Sequence, residues 1–182
     1  MKIIILNGPK SCGKDHAARA IEQYFGSELC PHLKFSQPLK NIVASILGLN
    51  VADLENVKEK EIFKGMSYRD MQIFTFQQLA KVFGEDWLGR VTANQLIDNE
   101  VQFAIFSDGG RQADITHILR TVGPQNVMIV QIMREGCDFT GDIRSYISAP
   151  NVTMKHIVNK GDVTYVNEMV DFAAQFFGNG EE

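Results

Sequence analysis

The chain has little of several things that would declare a function class at once. Cysteine is scarce: Cys12, Cys30 and Cys137 are an odd number at unrelated spacings, which yields neither a disulfide framework nor a zinc site and points to a reducing, cytoplasmic compartment. No apolar run approaches the length of a membrane span, and the short one ahead of Asn7-Gly8 is too brief for a secretory leader, so a soluble, unsecreted protein with no membrane partner is expected. Basic residues are not in excess: 18 Lys and Arg stand against 22 Asp and Glu, a formal charge of -4 with no long basic run. Gripping a nucleic-acid backbone rests on clustered Lys and Arg, so that function class is excluded, whereas a nucleotide ligand needs only a local positive pocket. The histidines at 16, 32, 117 and 156 show no metal spacing and receive no role. Repeats, low-complexity tracts and linkers are also lacking. What remains is 182 residues, 45% hydrophobic, enough for one domain with its own core.

Within that domain the apolar pattern alternates between strand and helix. Lys2–Leu6 is a continuous apolar run, as expected for a strand buried on both faces of a parallel sheet. Ala17, Ala18, Ile21, Tyr24 and Phe25 recur at helical spacing until Gly26. Further helices are predicted from Pro38 to Leu47, over Tyr68–Phe83, Asp86–Asn99, Ala113–Val122 and Thr164–Phe177. Val51–Gly65 reads as a short helix plus loop. Strands are predicted at Val101–Phe106, Asn126–Met133 and Val152–Val158. Strands separated by helices imply right-handed crossovers and an α/β fold: a mostly parallel sheet of about four to five strands with helices on both faces.

Between the first strand and first helix stands Gly8-Pro9-Lys10-Ser11-Cys12-Gly13-Lys14, the G-x-x-x-x-G-K spacing of a phosphate loop. Glycines let the backbone wrap a β-phosphate with its N–H groups inward, the helix N-terminus adds partial positive charge, and Lys14 reaches the β- and γ-phosphates. The loop amides of Ser11, Cys12 and Gly13 are candidate phosphate donors, with Gly8 and Lys10 in the same loop. Cys12 needs no nucleophilic role, since its backbone alone explains its place. Asp15 stands where Ser or Thr usually offers a hydroxyl to Mg²⁺. Its carboxylate could serve that cation, or it could cap the helix or orient Lys14.

Four patches carry a family resemblance. Gly13-Lys14-Asp15, Lys34-Phe35-Ser36-Gln37-Pro38-Leu39-Lys40, the run Phe106–Ile115 (FSDGGRQADI) and Ile157-Val158-Asn159-Lys160-Gly161-Asp162 resemble, in order, segments of bacteriophage deoxynucleoside monophosphate kinases and of animal-type phosphomevalonate kinases. In the family an arginine usually stands two residues after the strand-end Asp; here Gly110 fills that place and Arg111 follows. The stretch from Arg69 and Gln72 to Trp87 is only loosely similar to the family's acceptor helix and its later Trp. The resemblance implies a three-layer P-loop kinase fold, with an acceptor-binding helical region over about 36–99 and a lid over about 134–149. It further implies ATP as donor, Mg²⁺ as cofactor, a deoxynucleoside monophosphate as acceptor and, if the source is viral, the host cytoplasm as compartment. Nucleotides are then the partners, and a homodimer is left open.

Roles follow from residue chemistry beside that resemblance. Phosphoryl transfer needs positioning and charge neutralisation, for which Lys14, Arg111, Arg134 and Arg144 are the candidates. Arg111 suits an acceptor-phosphate clamp; an exposed charge at a helix start is its plain alternative. Asp108, at a strand end, could hold Mg²⁺ or meet an acceptor, or simply form the turn before two glycines. Lys40, Arg69 and Gln72 are acceptor-side candidates, with a solvated lysine the alternative for Lys40. Phe35 and Trp87 offer rings to a base, although lone aromatics in such segments more often belong to the core. Gly136 and Gly141 could hinge a lid that swings Arg134 and Arg144 over the phosphates and keeps water out. By resemblance, Asn159 and Lys160 border the donor's adenine. The competing functions are a kinase of another phosphorylated metabolite such as phosphomevalonate, and a nucleotide-dependent switch or ATPase without an acceptor.

Overall fold

The computed structural model describes residues 1–142 and 144–178. The apolar run after Met1 forms β1 (Lys2–Asn7), and the phosphate loop leads into α1 (Lys14–Phe25). Next come β2 (His32–Leu33), α2 (Gln37–Leu47), α3 (Val51–Asn56), β3 (Glu61–Phe63), β4 (Met66–Ser67), α4 (Tyr68–Phe83) and α5 (Trp87–Asp98). The chain then returns through β5 (Phe103–Gly109), α6 (Gln112–Val122), β6 (Val127–Met133), β7 (Thr153–Val158) and α7 (Thr164–Gly178).

The main sheet has the order β2-β5-β1-β6-β7, and each of its neighbouring pairs is parallel. Period-two alternation in β1 divides the core between two faces. Ile4 and Leu6 pack with Ile105, Val130 and Ile132 beneath α1 and α7, through Ala17, Ile21, Met169 and Phe177. Ile3 and Ile5 point the other way, against Phe106, Ile129, Leu96, Ile115 and Ile118 under α5 and α6. The isoleucines of β1 are wholly buried, each contributing roughly 1.5–3 kcal/mol by leaving water. Truncating Ile4 to Ala would cost about 2–5 kcal/mol, because the sheet cannot collapse into the void.

Helices α2 to α5 build a smaller region with cores of its own. Leu39, Ala80, Trp87 and Leu88 form one, and Val43, Ala44, Leu54 and Tyr68 another. Helix α4 starts at a capping box, in which Ser67 Oγ accepts from the Asp70 N–H and Asp70 accepts from the Ser67 N–H.

Several expectations need correction. The segment after Val51 holds not only a short helix but also the β3–β4 hairpin, turned at Lys64-Gly65, both with positive φ. The two-residue strand β2 has no periodic signal at all; pairing of His32 and Leu33 with Ile105 and Phe106 creates it. Strand β5 begins two residues later and runs three further than predicted, so Asp108 lies inside it and not after it. The expected lid is irregular chain, but its C-terminal part is fastened. Buried Asn7 donates Nδ2 to the carbonyls of Gly109 and Ser145 and accepts from the Ile147 N–H, each at 2.9 Å. Gln131 donates to the Ile147 carbonyl, and Ile147 is buried. Residues 145–147, within the expected lid, are thus tied to β1 and β6. Ile143 lies outside the described residues.

Candidate phosphoryl-transfer site

The site lies at the carboxyl edge of the parallel sheet, where β1, β2, β5, β6 and β7 all end, the place at which open α/β sheets receive ligands. The phosphate loop crosses this edge and is fitted closely to its surroundings. A Cβ at Gly8 would stand 2.5 Å from the Ile132 carbonyl oxygen. Gly13 has φ 106°, and a Cβ there would meet Asn159 Nδ2 and Tyr165 Oη, each at 2.6 Å. Both positions therefore require glycine. Ser11 also takes a positive φ, 64°.

Lys14 is buried, and its ammonium lies over the loop, donating to the carbonyls of Gly8 (2.8 Å) and Pro9 and to Cys12 Sγ (3.5 Å). Burial raises the Cys12 thiol above its usual range, against the pull of Lys14. Asn159 supports the loop from behind: Nδ2 donates to the Cys12 carbonyl (2.9 Å), and Oδ1 accepts from the Gly161 N–H. Tyr165 Oη meets the Gly13 carbonyl at 3.4 Å. Lys160 is exposed beside them. Arg134, at the end of β6, donates to the Ser11 carbonyl at 3.2 Å. Lys14, Asn159 and Arg134 thus converge on the loop.

Asp15 belongs to a network unseen in the sequence. Its Oδ1 accepts from Ser107 Oγ and from Lys34 Nζ, both at 2.7 Å, while His32 Nε2 lies 2.7 Å from Ser107 Oγ. Burial alone would raise the Asp15 carboxyl; the bonds from Lys34 and Ser107 and the Lys34 charge outweigh it and hold the group down at about 2. Burial and the Lys34 charge lower the His32 imidazole, against Asp15. Asp15 keeps one carboxylate oxygen with no hydrogen bond among the described residues, a hard donor suited to Mg²⁺ directly or through water. Asp108 has no such freedom: Oδ1 accepts the Phe35 N–H (2.8 Å) and Oδ2 the Ser36 N–H (3.0 Å), so the carboxylate fixes the turn from β2 into α2. Among the described residues no three His, Cys, Asp or Glu side chains gather as a metal cage; a cation held beside a triphosphate takes most of its ligands from phosphate and water.

The acceptor-side candidates divide. Arg111 sits at the N-terminal end of α6, its guanidinium 4.0 Å from the Phe76 ring centroid, donating to Glu85 (3.0 Å) and lying 3.9 Å from Asp114. Arg69 donates to Glu59 (2.8 Å), which also lies 3.7 Å from Lys10, so a single carboxylate links the phosphate loop to the start of α4. Lys40 is neither free nor solvated: it is 5% exposed and paired with Glu55 at 3.3 Å, and Lys58 shares that carboxylate. Arg144 is bonded to Asp142, and its stem lies against Gly110. Gln72 is buried with Nε2 unpartnered. Phe35 is 2% exposed and stacked on Phe106 at 4.5 Å, and Trp87 packs near Phe76 in the helical core. Neither ring has a face left for a base.

Asp114 is a residue that sequence reasoning passed over as a role-bearer. It is 5% exposed with Oδ1 unpartnered, and burial pushes its carboxyl up to about 7, despite Arg111 and helped by Asp108, Asp86 and Glu85. Its visible signal was an acidic residue three positions after Arg111, one turn into a helix.

Fold and loop together define a P-loop kinase architecture. No family model matches the chain. A phosphomevalonate kinase of Drosophila melanogaster is 27% identical over 133 residues, covering 72% of this chain and 67% of that protein. Among solved structures, a sugar kinase from a Janibacter species aligns over 99% of this chain and 96% of its own, at TM-score 0.51 and 8% identity. A protein assigned as a kinase from Chloroflexus aurantiacus aligns over 99% and 97%, at TM-score 0.55 and 13% identity. The structural likenesses speak to the fold alone. The phosphate loop and the relative support an ATP-dependent kinase of the P-loop type.

Proposed function

We propose that this protein transfers the γ-phosphate of ATP to a small metabolite that already carries a phosphate group. The observation that carries this reading is the distribution of cations. Lys14 and Arg134 lie on the phosphate loop, whereas Arg69, Arg111 and Arg144 stand on elements facing the same sheet edge. A donor polyphosphate accounts for the first group; a second anionic ligand accounts for the others.

Lys14 would follow the β- and γ-phosphates, leaving the carbonyls of Gly8 and Pro9. Loop amides would hold the β-phosphate, and Arg134, near Ser11, would neutralise charge on the migrating group. Mg²⁺ bound with ATP would supply neutralisation of the phosphate charge, and Asp15, with one carboxylate oxygen free of hydrogen bonds among the described residues, is the residue that would hold it, directly or through water.

A deoxynucleoside monophosphate is the first acceptor to test, on the strength of the four patches. Phe76 supports it: if Arg111 leaves that ring for a phosphate, one aromatic face opens for a base, one helical turn beyond Gln72 with its unpartnered amide. Phosphomevalonate is the second acceptor, supported by the relative and by the burial of Phe35 and Trp87. ADP formation from MgATP, measured with each deoxynucleotide, each ribonucleotide and phosphomevalonate singly, decides among them. ATP turnover with no response to any acceptor would overturn the kinase reading.

A further inference from the structure

Ser107 and His32 have no role in the transfer described so far, yet they stand in line behind Asp15. Ser107 is 2% exposed near the end of β5, between the phosphate loop and edge strand β2. Its hydroxyl has one proton, and the carboxylate of Asp15, 2.7 Å away, can only accept it. The Ser107 oxygen must then accept from His32, whose Nε2 lies 2.7 Å away, so His32 carries its proton on Nε2. The chain of donors runs one way, His32 to Ser107 to Asp15, joining three elements that meet only in the folded protein. Lys34 closes on the same oxygen from the end of β2. Both donors occupy Oδ1, and Oδ2 keeps no hydrogen bond among the described residues.

We infer that Ser107 and His32 are positioning residues for the divalent cation of this site, fixing the Asp15 carboxylate by one oxygen so that the other is presented to the cation beside the phosphate loop. At this position a hydroxyl, with its short reach, needs no such support. A carboxylate can rotate, and rotation would carry its charge away from the β- and γ-phosphates. Groups that orient a ligand in this way typically account for a ten- to hundredfold difference in metal affinity.

The inference rests on the reading of the chain as a nucleotide-dependent kinase, and its test does not require turnover. Mn²⁺ binding to the full chain with saturating ADP is followed by electron paramagnetic resonance, beside ADP binding without metal. Ser107→Ala is expected to weaken Mn²⁺ binding in the ADP complex about ten- to hundredfold while leaving metal-free ADP binding unchanged. Ser107→Thr, which keeps the hydroxyl, and His32→Gln, which keeps a donor at the same reach, are expected to stay near the parent, with His32→Ala between. Equal Mn²⁺ affinity in the parent and Ser107→Ala overturns the inference. So does an equal loss of ADP binding with and without metal, which would make Ser107 a structural support of the loop; thermal unfolding of the Thr variant guards against a folding artefact. If the parent phosphorylates no acceptor, the kinase reading falls, and the Mn²⁺ titration still decides the role of Ser107.

Discussion

Arg144 lies across the bare face of Gly110: a Cβ added at residue 110 would stand 2.8 Å from Arg144 Cδ and 3.0 Å from its Cβ and Cγ. The backbone reinforces this contact, since the Ser145 N–H donates to the Gly110 carbonyl at 3.2 Å. Gly110 stands where the resembled family usually carries an arginine, with Arg111 following, and the side chain of Arg144 occupies the space over Gly110. Gly110→Ala should therefore push Arg144 aside while leaving the fold intact. The expected result is a transfer rate about tenfold lower, with no further loss when Arg144→Ala is added, because the two substitutions remove one arrangement. Steady-state rates of both single variants and the double variant check this; additive losses would separate the two residues.

Lys14→Ala should abolish transfer, by roughly 10²–10³-fold or more, since Lys14 is the buried cation over the loop, whereas Lys10 is exposed and paired with Glu59. Stability should change by only about 1 kcal/mol, because the lysine contributes hydrogen bonds to carbonyls that water can replace. Single-turnover rates and denaturant melts measure the two effects separately.

Asp114 sets a pH dependence. Its carboxyl is raised from the ordinary 3.8 to about 7, so between those values the folded protein holds a proton that the unfolded chain releases. Stability associated with this group is complete below about pH 4, falls as pH rises through 7, and levels off above it. A tenfold change in proton affinity is worth roughly 1.4 kcal/mol, so the decline is on the order of a few kcal/mol. Asp114→Asn should flatten the profile between pH 4 and 7 and raise stability at pH 8. Urea unfolding across that range tests the sign, and a variant that keeps the parent's slope would assign it to other groups.

Glu59 holds both Lys10 and Arg69. Glu59→Gln should free the two cations for phosphate and lower the KM for the acceptor by about two- to fivefold, with kcat little changed, as suits an exposed pair. The effect should shrink at high ionic strength.

The legibility of this protein follows the range of its interactions. The phosphate loop, β1 and α1 could be read directly, because each depends on residues within a few positions of one another, and the helix expected over roughly Tyr68–Phe83 is found as α4. Strand β2 and the β3–β4 hairpin escaped because two or three residues carry no period; their hydrogen bonds exist only across the fold. The site's supports were equally hidden. Ser107 reaches Asp15 across 92 positions and Asn159 reaches Cys12 across 147. Phe35 was offered as a ring for a base and lies in the core, since only the packed sheet shows Phe106 beneath it.

The pairing of site cations with the protein's own carboxylates changes what binding means here. Lys34 rests on Asp15, Arg69 on Glu59, Arg111 on Glu85 and Arg144 on Asp142. Under the proposed function, an incoming anion would have to outcompete a resident carboxylate at each of the arginines it took. A singly charged ligand gains little from such a trade. A phosphate ester drawing on several cations at once would gain more, so the resting contacts would themselves select against weak anions.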